Sequence, residues 1–331
     1  MAIQIGIVGM GLRGRQWVQA LRRLSGYEIA ACVDVDSEAL QEAAAALRLP
    51  AQRCYARLED ALDDARPEAV IVATSIDHHV APSRTVLARR IPLLVEKPFA
   101  LTLRDARGLV AMASEAKVPL VVGQTYRYTG MNQTLRRFLR TGAIGRTGMV
   151  AYQVCRGNAH IRSGVTALPD GILWETAVHH IDLFRYVLGQ DVVAVTVESF
   201  ALPWSRLGAG ASVSILLTFA DGARGVYTAT YDSRPASWLR IVSERGILIP
   251  WRRWLVLLDG GRIPRIVGTA SHLVPPEAAL IEQLARAMRT GEEPECSGRD
   301  NLNTVAVLEA CARSAAERRP INPRDLFDEP V

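Results

Sequence analysis

Short apolar runs alternate with amphipathic segments along the first 122 residues of the chain. The runs are rich in β-branched residues and predict buried strands at Ile3 to Val8, Glu28 to Val33, Ala69 to Ala73, Pro92 to Val95 and Pro119 to Val122. Apolar positions three and four apart predict helices between these strands, at Leu12 to Leu24, Ser37 to Leu47, Val80 to Arg89 and Thr102 to Ala116. Because strand and helix alternate strictly, we predict a doubly wound parallel sheet, which is a Rossmann-type α/β domain over residues 1–122.

The pattern changes from Met149 onwards. After one helical segment, Leu173 to Leu188, alternating apolar and polar positions predict strands at Val192 to Phe200, Ser212 to Phe219, Gly225 to Tyr231, Leu239 to Val242 and Trp254 to Leu258. Hairpin signals such as Ala220-Asp221-Gly222 separate the strands, and helices are predicted at Pro276 to Arg289 and Asn301 to Glu317. Residues 123–331 therefore predict an α+β domain with a large, mostly antiparallel open sheet.

Composition narrows the class of protein. A chain of 331 residues is long enough for about two domains. Its net charge of +5 is dispersed, so we expect no nucleic-acid partner. The five cysteines form no C-x-x-C pair, so we expect free thiols and no metal site. The chain opens directly on a strand and has no apolar run of about 20 residues, so we expect a cytoplasmic protein without a membrane span.

The segment Gly9-Met10-Gly11-Leu12-Arg13-Gly14 follows the first strand and opens the first helix. Such glycines permit a tight turn, a close approach of backbone to a pyrophosphate, and helix–strand packing, while the helix N-terminus offers N–H groups to phosphates. Asp34 ends the second strand about 20 residues beyond Gly14, where a carboxylate can bind ribose hydroxyls. No arginine follows it directly, so we predict NAD rather than NADP. The alternative is a plain glycine turn, with Asp34 or Asp36 capping the next helix.

Glu96-Lys97-Pro98 follows a predicted strand at the edge of the sheet where ligands bind. The chain contains only two lysines, Lys97 and Lys117, among its 39 basic residues. Lysine can give up its proton when it is partly desolvated, whereas arginine effectively cannot. A lysine kept at a strand end therefore suggests a chemical task. The alternative is a surface lysine in an ordinary turn.

One predicted helix carries Glu175, His179 and Asp182 at positions i, i+4 and i+7, which lie on one α-helical face. Histidine is a natural acid or base for a substrate hydroxyl, and a carboxylate one turn away can orient it. A structural ion pair is the alternative, and spacing alone does not decide between the two.

Several further segments accompany these motifs, and their order along the chain is part of the pattern. They are Thr74 with His79, Gly123-Gln124-Thr125-Tyr126-Arg127, His179-x-x-Asp182 and Thr290-Gly291-Glu292-Glu293-Pro294. Together the motifs resemble those of the glucose-fructose oxidoreductase, inositol dehydrogenase and MocA family over essentially the whole chain. The resemblance implies an NAD-binding Rossmann domain in which Lys97 polarises the reacting oxygen or relays its proton, with His179 as general base. Two positions depart from the family: Glu175 stands where aspartate is common, and Ser75 where proline is common.

The motifs, their positions in the chain and the resemblance together give the expected site residues. Those expected to bind the cofactor are Gly9, Gly11, Leu12, Gly14, Asp34, Thr74, His79, Glu96 and Lys97. Those expected near the substrate are Tyr126, Arg127, Arg156, His160 and Asp182. His79 could instead cap the helix that begins near Val80, as could His78. Tyr126 and Arg127 could equally pack at a hinge, and Glu175 could contact substrate or only orient His179.

The expected function is hydride transfer between NAD and a hydroxyl-bearing carbon of a sugar, polyol or sugar derivative. One alternative keeps NAD but uses transient oxidation to drive elimination or glycoside cleavage. Another is a regulator that senses a dinucleotide or sugar without turnover, although such a protein would not need both Lys97 and His179. The broad second sheet further predicts a homodimer or homotetramer, because a single helix and the terminal helices cannot cover both of its faces.

Overall fold

The computed structural model describes residues 2–157, 170–208, 210–261, 263–270 and 274–329. The chain forms two compact units, Met1–Thr125 with Val274–Leu302, and Tyr126–Leu273 with Asn303–Val331. The chain first passes from one unit to the other after Thr125, close to the expected boundary at residue 122. Residues 274–302, however, were expected in the second domain and belong to the first unit. This assignment depends on contacts between residues far apart in the chain, which no local pattern encodes.

The first unit is built on a six-stranded parallel sheet with the order β3-β2-β1-β4-β5-β6. Its strands are β1 (Ile3–Val8), β2 (Tyr27–Val33), β3 (Cys54–Tyr55), β4 (Ala69–Val72), β5 (Leu93–Val95) and β6 (Leu120–Val122). Its first five helices are α1 (Leu12–Leu21), α2 (Ser37–Leu47), α3 (Leu58–Asp64), α4 (Val80–Ala88) and α5 (Leu103–Ala116). The predicted doubly wound sheet is confirmed, with element ends shifted by a few residues.

The apolar runs of this unit become its central strands because both of their faces are covered. All residues of β4, β5 and β6 are buried, as expected for strands that lie between two layers of helices. The sequence pattern did not indicate β3 or α3. A strand of two residues is too short to show a period, and α3 carries only two buried residues.

The second unit contains an eight-stranded sheet with the order β14-β13-β12-β11-β7-β10-β9-β8. Its strands are β7 (Thr147–Cys155), β8 (Val192–Phe200), β9 (Ser212–Phe219), β10 (Arg224–Thr230), β11 (Ala236–Ser243), β12 (Gly246–Trp251), β13 (Trp254–Leu258) and β14 (Arg265–Thr269). Only the pairing of β7 with β10 is parallel among these described strands. The predicted mostly antiparallel sheet is therefore confirmed, although β7, β12 and β14 were not predicted.

Four further α-helices follow along the described ranges of the chain. They are α6 (Gly130–Arg140), α7 (Val178–Leu188), α8 (Pro276–Thr290) and α9 (Gly298–Glu317). The division between the two units falls inside α9. No helix of the described ranges combines the length and apolar character needed to cross a membrane.

The predicted helix Leu173 to Leu188 is not uniform. It begins as a π-helical turn, Leu173–Ala177, in which the Val178 N–H donates to the Leu173 carbonyl, and continues as α7. A π turn closes over five residues instead of four, and such turns occur frequently at functional sites. The α-helical spacing assumed for Glu175 and His179 therefore does not hold across this turn.

Candidate active site

The glycine-rich loop between β1 and α1 has the geometry of a dinucleotide cradle. Gly9 adopts φ +91°, which favours glycine, and a Cβ on Gly14 would lie 1.8 Å from the Gly9 carbonyl oxygen. These two glycines are thus required by the turn itself. A Cβ on Gly11 would meet nothing within 4 Å, so the space in front of this residue is open to a ligand. Leu12 begins α1 and is 55% exposed.

Asp34 follows β2 and its carboxylate is held by two backbone N–H groups. Met10 donates to Oδ2 at 2.6 Å and Asp36 donates to Oδ1 at 3.0 Å. Asp36, rather than Asp34, caps α2 by accepting from Glu38 and Ala39. Asp34 thereby connects the second strand to the glycine-rich loop and remains only partly buried, as a ribose-binding carboxylate must.

Lys97 lies in the loop after β5. It is the one side chain between Leu93 and Ala100 that is not buried. Glu96 before it is only 4% exposed, and its Oε1 accepts from Arg13 Nε at 2.8 Å and from Trp17 Nε1 at 2.9 Å. The expected cofactor residue Glu96 therefore faces α1, while Lys97 remains accessible.

Thr74 and His79 belong to the segment after β4. The His79 ring is 2% exposed, with Nδ1 2.7 Å from the Pro98 carbonyl oxygen and Nε2 3.2 Å from that of Thr74. Burial lowers the pKa of His79. Neither His78 nor His79 makes a side-chain capping bond to α4 in the described structure. His79 instead joins this segment to the loop that carries Lys97.

The π turn and α7 carry Glu175 and His179. Every other residue from 171 to 187 is buried, while these two remain partly exposed. The Tyr126 ring stacks on the His179 ring with centroids 4.4 Å apart. Two ionisable side chains thus stay accessible on a helix that is otherwise packed, and an aromatic ring fixes the orientation of one of them.

Aromatic side chains from the sheet of the second unit pack beside this helix. The His180 ring packs edge-on against the Tyr152 ring, with the two ring centroids 4.5 Å apart. Its Nδ1 lies 3.0 Å from the Tyr227 hydroxyl. The Tyr231 hydroxyl lies 2.9 Å from Thr176 Oγ1. Burial raises the pKa of Tyr231 to about 12 and that of Tyr227 well above its ordinary value. These phenols therefore stay neutral and act only as hydrogen-bonding groups.

Arg156 lies one residue beyond β7, and its backbone N–H donates to the Thr230 carbonyl at 2.8 Å. The positive charge of Arg156 opposes the effect of burial and lowers the pKa of Tyr231, whereas Glu175 raises it. Arg156 and Glu175 are therefore both close enough to Tyr231 to act on it. His160, which we expected near the substrate, lies outside the described residues.

Arg127 and Asp182 form a buried ion pair within the second unit. Arg127 donates from Nε at 2.6 Å and from Nη2 at 2.5 Å to the two carboxylate oxygens of Asp182. Thr304 Oγ1 donates to the same carboxylate at 2.9 Å. Because Asp182 is 0% exposed, it does not share the accessible face of Glu175 and His179. The expectation of one common helical face was therefore wrong for Asp182.

Several residues of this arrangement were not anticipated from the sequence. They are Arg13, Trp17, Tyr152, His180, Tyr227 and Tyr231. The available signal was the strand period: Val150, Tyr152 and Val154 alternate along β7 and point to one face, and Tyr227 occupies the matching face of β10. Arg13 carries no comparable signal, because its partner lies 83 residues away.

The first unit offers an accessible amine, and the second unit offers an accessible imidazole beside neutral hydrogen-bonding phenols. An amine and an imidazole can both exchange a proton with a hydroxyl near neutral pH when their surroundings adjust their pKa values. Among the described residues, no group of three or more His, Cys, Asp or Glu side chains could hold a metal ion. Each unit therefore carries an accessible side chain that is capable of proton transfer.

Comparison with known proteins adds independent findings. Residues 3–124 match the model of an oxidoreductase family with an NAD-binding Rossmann fold, and residues 132–249 match the GFO/IDH/MocA C-terminal domain. The D-apiose dehydrogenase of Paraburkholderia graminis is 32% identical over 351 residues, covering 98% of this chain and 90% of that protein. The inositol 2-dehydrogenase of Rhizobium meliloti is 25% identical over 338 residues, covering 97% and 99% of the two chains.

Solved structures with the same fold include an oxidoreductase from Agrobacterium radiobacter in complex with NAD⁺, L-tartaric acid and magnesium. It aligns with a TM-score of 0.88 at 23% identity and covers 98% of this chain and 100% of that one. A protein from Desulfitobacterium hafniense described as a putative NADPH-dependent oxidoreductase aligns with a TM-score of 0.89 at 18% identity, covering 99% of each chain. Both likenesses show that this chain shares the fold of these two proteins.

Proposed function

This chain belongs to the GFO/IDH/MocA oxidoreductase family, and we propose that it transfers a hydride between NAD and a hydroxyl-bearing carbon of a sugar, a polyol or a sugar derivative. One observation carries the proposal: in two otherwise buried segments, the only accessible side chains are ionisable. They are Lys97 between residues 93 and 100, and Glu175 with His179 between residues 171 and 187. The names of the apiose and inositol dehydrogenases support the substrate class.

The residues of the first unit fit a dinucleotide. The open space in front of Gly11 would be filled by a Cβ, and the backbone beside it can approach a pyrophosphate at the start of α1. The Asp34 carboxylate, fixed by Met10 and Asp36, would accept hydrogen bonds from ribose hydroxyls. When bound, the nicotinamide supplies the acceptor or donor of the hydride.

In the direction of oxidation, His179 accepts the proton of the substrate hydroxyl as general base. Its ring is oriented by the stacked Tyr126 ring. Lys97 can donate a hydrogen bond to a substrate oxygen and stabilise the negative charge that develops there, or relay a proton. In reduction the same groups return the proton. We assign to Glu175, Arg127 and Asp182 the role of orienting His179 and its surroundings. Arg127 and Asp182 support this role because they form a buried pair.

The preference for NAD over NADP follows from Asp34. An ionised carboxylate that backbone groups hold in place repels a 2′-phosphate, and residues 35–37 add the acidic Asp36 but no arginine. We expect NADH to bind at least roughly tenfold more tightly than NADPH, a difference of about 1.4 kcal/mol. Fluorescence titration of the wild type and of Asp34→Ala tests this. Asp34→Ala should reduce the difference between the affinities for NADH and NADPH. Equal affinities in the wild type would contradict the predicted preference for NAD.

We also propose that the protein assembles as a homodimer or homotetramer through the second sheet. One face of this sheet leaves Leu216, Trp238, Trp251 and Ile266 between 50% and 62% exposed. Along β12, β13 and β14, apolar side chains line a groove on this face: Ile249, Trp251, Trp254, Val256, Pro264 and Ile266. An exposed apolar surface of this kind is usually covered by a partner, and a second copy of the same face is the simplest one with two-fold symmetry.

A substrate panel tests the proposed activity. The purified protein is mixed with NAD⁺ and, separately, with D-apiose, myo-inositol and other sugars and polyols, and NADH formation is followed by absorbance. We expect turnover with at least one compound, and none with the Lys97→Ala/His179→Ala variant. Absence of NADH formation and of NADH oxidation with the matching carbonyl compounds, in a protein that binds NADH, would contradict the dehydrogenase function.

A further inference from the structure

Arg13 lies in the first turn of α1, directly after the glycine-rich loop, and its side chain points to the loop that carries Lys97. Its Nε and Nη2 donate to Glu96 Oε1 at 2.8 and 2.5 Å, and its Nη1 donates to Gln16 at 2.6 Å. Glu277 of α8 lies 3.3 Å from the same Nη1. Burial disfavours the charged guanidinium, but the carboxylates of Glu96 and Glu277 together outweigh burial and raise the pKa of Arg13. The charged guanidinium is therefore held between these two carboxylates.

Several groups around the Glu96 carboxylate hold it in place. Trp17 Nε1 donates to Oε1 alongside Arg13, and the Lys97 N–H lies 3.2 Å from Oε2. A Cβ on Gly123 would lie 3.1 Å from Glu96 Cα, so the backbone after β6 closes the remaining side. The Glu96 carboxylate thereby connects Arg13 and Trp17 of α1 to the backbone N–H of Lys97.

We propose that Arg13 is a positioning residue for Lys97: by holding Glu96, it sets the backbone from which the lysine side chain extends and links that backbone to the dinucleotide loop. The inference rests on the proposed function for what Lys97 does in turnover. The positional claim does not depend on turnover, because it concerns contacts of Glu96 with Arg13, Trp17 and Lys97 within one compact unit.

The composition of the chain makes this claim directly measurable. Lys97 and Lys117 are the only lysines, so protein labelled with [ε-¹³C]lysine gives two side-chain resonances. Lys97→Arg identifies the Lys97 resonance by removing it. Lys117 lies at the end of α5 in a left-handed conformation and serves as an internal reference in the same sample.

The experiment compares Arg13→Ala with Arg15→Ala in the protein without cofactor. Arg15 lies two residues further along α1, and its nearest carboxylate is the exposed Glu42 at 3.9 Å. We expect Arg13→Ala to shift the Lys97 resonance and the pH midpoint of its titration, while Lys117 stays unchanged. Arg15→Ala should change neither signal. An unchanged Lys97 resonance in folded Arg13→Ala would overturn the proposal.

Chemical rescue separates positioning from general loss of structure. The Arg13 side chain is 21% exposed, so a guanidinium ion can reach the space vacated in Arg13→Ala. Millimolar guanidinium should return the Lys97 resonance towards its wild-type position, whereas equal ionic strength from sodium chloride should not. If Arg13→Ala does not fold, Arg13→Gln is used, which adds no lysine resonance, and it should give an intermediate Lys97 shift. A wild-type shift in Arg13→Gln would also contradict the proposal.

Kinetics complete the test once a substrate is known. Displacement of a catalytic group can lower turnover by about 10- to 100-fold. We therefore expect kcat of Arg13→Ala to fall by that factor, while the Kd for NADH changes less than about threefold. A fall in NADH affinity without a change in kcat would instead assign Arg13 to cofactor binding. If the panel yields no substrate, the resonance shifts alone still decide the positional claim.

Discussion

Gly11 and Gly14 stand three positions apart but face different surroundings. A Cβ on Gly14 would overlap the Gly9 carbonyl oxygen at 1.8 Å, whereas one on Gly11 would enter open space. Gly11 has φ −64°, which alanine adopts without strain. The fold therefore requires glycine at position 14, and we propose that bound dinucleotide requires it at position 11.

Alanine substitutions should separate these two demands. We expect Gly14→Ala to lower the free energy of unfolding by roughly 3 kcal/mol or more, because backbone must move. Gly11→Ala should leave stability within about 0.5 kcal/mol of the wild type but weaken NADH binding by roughly tenfold or more. Urea denaturation and fluorescence titration measure the two quantities. Unimpaired NADH binding by Gly11→Ala would mean that the dinucleotide does not approach this loop.

Lys97 and His179 should behave as one catalytic unit. Loss of a positioned general base typically costs about 10²–10⁴ in rate, so Lys97→Ala and His179→Ala should each abolish most turnover while NADH still binds. Groups that share one proton path are non-additive, and the double variant should be little worse than either single variant. Steady-state kinetics on the compound found by the panel provides the measurement.

Lys97→Arg distinguishes a proton relay from a fixed positive charge. Arginine keeps the charge but cannot give up its proton at the pH of the assay. We expect Lys97→Arg to be almost as inactive as Lys97→Ala. Near-normal turnover would remove the relay role and leave Lys97 as an electrostatic group only.

Helix α7 depends on a buried ion pair with the short 3₁₀ helix Thr125–Tyr128. Arg127 and Asp182 are 2% and 0% exposed and bind each other through two hydrogen bonds. Removing one member leaves the other charge buried, which typically costs about 3–5 kcal/mol. Tyr126, next to Arg127, stacks on His179, so this pair also fixes the surroundings of the proposed base.

We therefore expect Arg127→Met to be strongly destabilising, by about 3–5 kcal/mol. Arg127→Met/Asp182→Leu should recover most of that loss, because no charge remains buried. Arg146→Met serves as the control, since Arg146 pairs with Glu244 on the exposed surface and should contribute little. Thermal and urea denaturation compare the variants. If Arg127→Met were as stable as the control, the ion pair would have no role in holding α7.

Assembly is a property of the complete molecule. The exposed apolar face of the second sheet predicts a homo-oligomer at micromolar concentration, measurable by light scattering coupled to size exclusion. Trp251→Glu/Ile266→Asp should shift the mass towards the monomer, because two charges would be buried without partners. Val274→Asp replaces an equally exposed apolar residue of the first unit and should leave the mass unchanged. A monomeric wild-type protein would contradict the proposal.

The doubly wound parallel sheet, the mostly antiparallel character of the second sheet and the loops that hold the candidate chemistry were predictable from the chain. Glycine spacing, β-branched runs and a lysine retained after a strand are local features, since each depends on φ values, side-chain period or residue chemistry over a few positions. They indicated the doubly wound sheet, the cradle around Gly11, and both Lys97 and His179. Short elements such as β3 escaped because two residues cannot show a period.

Partners far apart in sequence were decided only by the tertiary structure. Arg13 meets Glu96 across 83 positions and Arg127 meets Asp182 across 55, and residues 274–302 join the first unit. The shared face expected for Asp182 failed for the same reason: a helical period says which residues are neighbours on the helix, but not which of them the surrounding elements bury. Burial and long-range pairing result from packing many segments against one another, and a pattern read along one segment does not contain that information.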